Sequence, residues 1–109
     1  MYVSITGLKP KGLIGWIRFW TLTIPASKDA QRAEGIIHFA FNSHNGYQHT
    51  LTVLKSKKYM KNYLTSPAHL KAMKNFSKIG KGKVHGYEAN SIPSWQEALA
   101  KWDKNGLIH

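Results

Sequence analysis

Residues 2–8 alternate apolar and polar positions and are rich in β-formers, the pattern of a strand with one side buried. Lys9-Pro10-Lys11-Gly12 then predicts a turn. Beyond it Leu13, Ile17, Trp20 and Ile24 fall on one stripe of a helix, with Trp16 beside them. Pro25 lacks a backbone donor and its ring crowds the preceding turn, so a break or kink is expected near Thr23 and Ile24. A second helical piece is expected over 27–33, closed by Gly35.

Residues 36–43 and 47–54 both read as strands, with Asn45-Gly46, a strong hairpin signal, between them. A two-residue turn pairs His44 with Tyr47, Asn42 with His49, Ala40 with Leu51 and His38 with Val53. Paired residues share a face. One face therefore collects Ile36, His38, Ala40, Asn42, His49, Leu51 and Val53, and the other Ile37, Phe39, Phe41, Thr50, Thr52 and Leu54. Both are apolar enough to need cover. Helices of the same chain can cover one, and a partner sheet is the natural cover for the other, which predicts a homodimer.

Residues 56–64 read as a helix with Tyr59, Met60, Tyr63 and Leu64 inward. Ser66-Pro67 is a start signal, serine as N-cap and proline in the first turn, for a helix with the stripe Leu70, Met73 and Phe76. A glycine-interrupted strand follows over 80–90. Ser94-Trp95-Gln96-Glu97 is a capping box opening a last helix with Trp95, Leu99 and Trp102 inward. The order is β-α-β-β-α-β plus a C-terminal helix, an α+β ferredoxin-like arrangement within one domain spanning 1–109.

Charge changes this picture little. The formal net charge is +11, with no acid between Glu34 and Glu88, but fourteen of the sixteen cations are lysines. Base reading favours the planar fork of arginine, so no specific nucleic-acid partner is expected. The apolar run 12–24 is interrupted by Arg18 and falls short of the roughly 20 residues of a membrane span. It reads as an amphipathic helix, and no membrane partner is expected. With no cysteine there are no disulfides or thiol nucleophiles, which suits a cytoplasmic protein.

Among residues able to do chemistry, His69 stands out. Behind the Ser66 cap it occupies the first helical turn, where the helix dipole disfavours imidazolium and favours a neutral, proton-accepting ring. It shares a face with Met73 and Phe76, so it is expected to point inward, toward the sheet face carrying His38, Asn42 and His49. Those three could orient an oxygen-bearing group of a ligand, or simply be strand residues at a wet rim. Trp16, Trp20, Met73 and Phe76 are candidate pocket walls for a flat ligand, or plain core. No HxH or HxxxH spacing exists, so no metal is expected.

Several segments together carry a family likeness: Tyr2-Val3-Ser4-Ile5-Thr6, Ala30-Gln31-Arg32-Ala33 before Gly35, Thr50-Leu51-Thr52-Val53, Ser66-Pro67-Ala68-His69-Leu70-Lys71-Ala72-Met73, and Pro93-Ser94-Trp95-Gln96-Glu97-Ala98. The chain resembles small bacterial proteins of the dimeric α/β-barrel superfamily, on its antibiotic-biosynthesis-monooxygenase and spheroidene-monooxygenase-like side. It departs from them at Gln48-His49, where an aromatic residue is usual, and in its many lysines. The resemblance implies a homodimer with a small cavity in each subunit between helices and sheet. Three functions fit. The first is a monooxygenase-like enzyme for an aromatic or conjugated small molecule, working without a tightly bound cofactor and with His69 as base. The second is a non-catalytic binding module for a small organic ligand. The third is a haem protein with an inward histidine as axial ligand.

Overall fold

A computed structural model describes residues 1–76 and 78–108, apart from the side chains of residues 68, 81, 107 and 108. The elements are β1 (Tyr2–Pro10), α1 (Gly12–Gln31), β2 (Ile36–His44), β3 (Tyr47–Leu54), α2 (Lys57–Leu64), α3 (Pro67–Phe76), β4 (Gly80–Glu88), α4 (Trp95–Asn105) and β5 (Leu107–Ile108). The antiparallel sheet has the strand order β2-β3-β1-β4-β5. This is the ferredoxin-like arrangement, with α2 inserted before α3 and α4 added behind β4.

The local signals act as their chemistry requires. Asn45 and Gly46 both adopt positive φ, 51° and 81°, the geometry a two-residue hairpin turn needs. The predicted pairs from His38–Val53 to His44–Tyr47 all form. One residue breaks the pattern: a bulge at Ile37 pairs Ile36 with Leu54 and moves Ile36 off the His38 face. Ser66 Oγ accepts from the His69 N–H at 3.3 Å, and Ser94 Oγ accepts from the Glu97 N–H at 3.2 Å, so both predicted caps close their helices.

Three expectations are corrected. β1 runs on through Pro10, where the sequence predicts a turn, because Lys9 and Pro10 pair with Lys81 and Gly80. Gly80 permits that approach: a Cβ there would stand 2.2 Å from the Lys9 carbonyl oxygen. α1 continues through Pro25 to Gln31. Ser27 and Ala30, beyond the proline, are buried, and this packing outweighs the roughly 3 kcal/mol a mid-helix proline costs. The phase of α1 is also different. Gly15, Phe19, Thr23, Ser27 and Ala30 face inward, while Leu13, Ile17 and Ile24 of the predicted stripe are exposed.

The sheet has a helix-bearing layer on each side. Phe19 of α1 packs with Leu8 and Ile79, backed by Phe76 of α3. On the other face Val3, Ile5, Leu51 and Val53 form a core with Ala98 and Trp102 of α4. The second face, expected to lie under a partner sheet, is thus covered over its centre by the chain's own last helix.

Candidate functional site

Between α3, the end of α2 and the β1–β4 part of the first sheet face lies a cavity of about 470 Å³. Thr6, Leu8, Met73, Phe76 and His69 line it, and they also line an adjoining narrower space that Phe19, Thr23, Phe39 and Thr50 close off. Strand alternation explains the sheet side. Ser4, Thr6 and Leu8 project to this face, where Thr6 pairs with Thr50 on β3 and Val84 on β4. The wall is mostly apolar and carries few polar groups, the usual make-up of a small-molecule site.

Those polar groups are distinctive. The hydroxyls of Thr6 and Thr50 hydrogen-bond to each other across the strands. Thr23, only 3% exposed, has an Oγ1 with no hydrogen-bond partner among the described residues. Thr23 faces the narrower space, and a buried hydroxyl in that state costs about 1–3 kcal/mol.

His69 stands on the cavity wall. Its Nδ1 lies 3.2 Å from the Leu64 carbonyl oxygen. A carbonyl only accepts, so Nδ1 carries a proton, and in the neutral form of the ring Nε2 is the basic nitrogen. Ser66 Oγ, besides accepting from the His69 backbone, donates to the Tyr63 carbonyl at 2.8 Å and so ties the α2–α3 junction together. The Tyr63 ring meets the imidazole edge-on at 4.9 Å. Burial, reinforced by Asp29, pushes the Tyr63 phenol up to about 12, so it stays protonated at neutral pH. A second space of about 240 Å³, lined by Asp29, Glu34, Tyr59 and Tyr63, also reaches His69. The imidazole therefore borders both an apolar chamber and a carboxylate-bearing one.

Of the predicted site residues, His69, Met73 and Phe76 come together at the cavity. Trp20 sits behind its wall, with its ring 5.3 Å from Phe19 and 5.9 Å from Phe41, and Trp16 is half exposed on the outside of α1. His38, Asn42 and His49 share a face as expected, but it is the opposite one, so the predicted juxtaposition with His69 does not occur. His49 is 1% exposed and lies under Trp102, ring centroids 4.6 Å apart. Its Nδ1–H donates to the Thr6 carbonyl at 3.1 Å. Burial drives its pKa below 6.5; the Thr6 bond opposes that shift and the nearby His44 adds to it. Asn42 Oδ1 accepts from the Ser43 N–H at 2.9 Å. No three His, Asp or Glu among the described residues group as metal ligands. Thr6, Thr23, Thr50, Phe19 and Tyr63 were not among the predicted site residues. The hairpin register had already set Thr50 beside Phe39 and Phe41, and this was the available signal for that wall.

No protein-family model matches the chain, and no curated protein does. Solved structures match its fold. An antibiotic biosynthesis monooxygenase superposes with a TM-score of 0.73 at 8% identity, over 84% of this chain and 100% of that one. SnoaB, a cofactor-independent oxygenase from Streptomyces nogalater, gives 0.70 at 10% identity, over 85% and 97%. A dimeric ferredoxin-like protein of unknown function from Jannaschia sp. CCS1 gives 0.73 at 16%, over 81% and 98%. The likeness read from the sequence thus holds at the level of fold.

Proposed function

We propose that this chain is a monooxygenase-like enzyme that binds an aromatic or conjugated small molecule between α1, α3 and the sheet, without a tightly bound cofactor. The observation that carries the reading is the His69 imidazole, with Nε2 as its basic nitrogen, on an apolar wall that also holds the Thr23 hydroxyl without a partner. Phe19, Phe39, Met73 and Phe76 supply flat apolar surface for a ring. Thr23, with the Thr6–Thr50 pair, supplies hydrogen bonds to the ligand's oxygen.

In the reaction His69 Nε2 takes a proton from an acidic C–H or phenolic O–H of the substrate. The resulting anion gives electrons to dioxygen, and a C–O bond forms to give a hydroperoxide. Loss of water from it leaves a carbonyl. A CH₂ and O₂ become C=O and H₂O, the substrate supplying every electron. The fold shared with SnoaB, described as cofactor-independent, supports this reading, and the Jannaschia neighbour supports assembly as a homodimer.

The test is oxygen uptake with a dihydroxynaphthalene as probe. His69→Phe keeps a ring against Tyr63 and removes the base, so uptake should fall about 10²–10⁴-fold while the probe still binds. Equal uptake by both proteins would overturn the role of His69. Probe binding without uptake in the wild type would favour the non-catalytic binding module, and a Soret band on adding haem would favour the haem reading.

A further inference from the structure

α1 packs a side of mainly small residues and leaves its more apolar side open. Its inner side, Phe19 with the small Gly15, Thr23, Ser27 and Ala30, packs within the chain. Its outer side presents Leu13, Ile14, Trp16, Ile17 and Ile24, between 48% and 75% exposed. The apolar side of a helix ordinarily faces the core, yet here it is open in the single chain. The band reaches the sheet edge: Trp16 contacts Trp20 at 6.4 Å, and Trp20 contacts the exposed Phe41 of β2. Contiguous apolar surface of this kind marks an interaction site.

Charge selects the partner. Lys11, Arg18 and Lys28 are exposed along α1, and the first acidic residue of the chain is Asp29, near the helix end. A second copy docked through the same side would offer Arg18 and Lys28 no carboxylate from residues 1–28, only further cations. An anionic surface meets the same cations favourably. Exposed tryptophan and branched aliphatics flanked by Lys and Arg are the features of a helix lying in the plane of a lipid interface. No described helix is long and apolar enough to cross a membrane, so the contact is one of lying on the surface.

We infer that the outer side of α1 docks this protein onto an anionic phospholipid surface, with Leu13, Ile14, Trp16, Ile17 and Ile24 seated at the headgroup–acyl boundary. The surface departs from the expectation of no membrane partner because the stripe expected to face the core faces outward. The inference does not depend on the chemistry of the cavity.

Vesicles of mixed phosphatidylglycerol and phosphatidylcholine, and of phosphatidylcholine alone, test it by co-sedimentation and by quenching of tryptophan emission with brominated lipid. The wild type should bind the anionic vesicles and be quenched, and Trp16→Phe should lose much of the quenching. Ile14→Glu with Ile17→Glu should weaken binding by about tenfold or more, with folding checked by circular dichroism. Lys57→Gln with Lys58→Gln, an equal change in charge on exposed positions of α2, should weaken it far less. Three results would overturn the proposal: no binding to anionic vesicles, equal loss in both double variants, or a drop in oligomeric mass by light scattering in the isoleucine variant. The second would mean diffuse attraction by lysines, and the third a subunit interface.

Discussion

Each face of the sheet holds a histidine, in opposite surroundings. Under α4, His49 fills space: Trp102 covers it, its Nδ1–H donates to the Thr6 carbonyl, and Gly7 beneath has no room even for a Cβ, which would lie 2.3 Å from the Trp102 ring. Under α1 and α3, His69 borders open volume beside a hydroxyl that has no partner among the described residues. The difference comes from what each helix brings. α4 inserts the largest side chain onto a glycine and closes the gap. α1 offers Thr23 and Ser27 toward two threonines, and the small side chains leave a chamber. His49 Nε2, like the Thr23 hydroxyl, has no hydrogen-bond partner among the described residues, so neither burial nor an unmet hydrogen bond is by itself a sign of chemistry; the open space beside His69 is what distinguishes the two.

The comparison breaks most visibly at Trp102. Trp102→Ala removes the ring from His49 and Tyr47 and the indole N–H bond to the Lys83 carbonyl at 2.7 Å, and should cost about 3–5 kcal/mol in denaturant unfolding. A cost below about 1 kcal/mol would mean that the α4 face is loosely packed and the contrast false. Thr23→Val tests the opposite face. It keeps the shape and deletes the orphan hydroxyl, so stability should hold or rise by about 1 kcal/mol, while affinity for the naphthalene probe falls. Loss of stability with unchanged affinity would show that Thr23 serves the fold and not a ligand.

The smallest effect is in pH. The folded pKa of His49 lies below its ordinary 6.5, so the unfolded chain takes up the proton first. Its contribution to stability is complete above 6.5 and is lost as pH falls through the lowered folded value. Between about pH 7.5 and about pH 5 the melting temperature should drop more in the wild type than in His49→Gln, which cannot titrate. Parallel slopes would contradict the burial argument.

Much of this was legible where local chemistry dominates. Asn45-Gly46 set the hairpin register, and Ser66 and Ser94 set the starts of α3 and α4. The phase of α1 was not legible, because large apolar residues occupy its outer side and mainly small or polar ones its inner side, so the stripe Leu13, Ile17 and Ile24 outweighed Gly15, Phe19 and Thr23. Register alone sorted His49 from Thr50 but could not say which set the helices would meet. That choice rests on long-range packing, chiefly Trp102 finding Gly7 and Phe19 finding Leu8. The bulge at Ile37 likewise has no local signal.

The central claim is that ligand chemistry belongs to the α1–α3 side of the sheet and not to the His49 side. Methyl and imidazole NMR on selectively labelled protein, titrated with the dihydroxynaphthalene probe under argon, tests it directly. The Met73 methyl and the His69 Cε1–H should shift in proportion to occupancy, with the His38 and His49 rings unmoved. Shifts at His38 and His49 with His69 and Met73 silent would place the ligand on the other face and contradict the account.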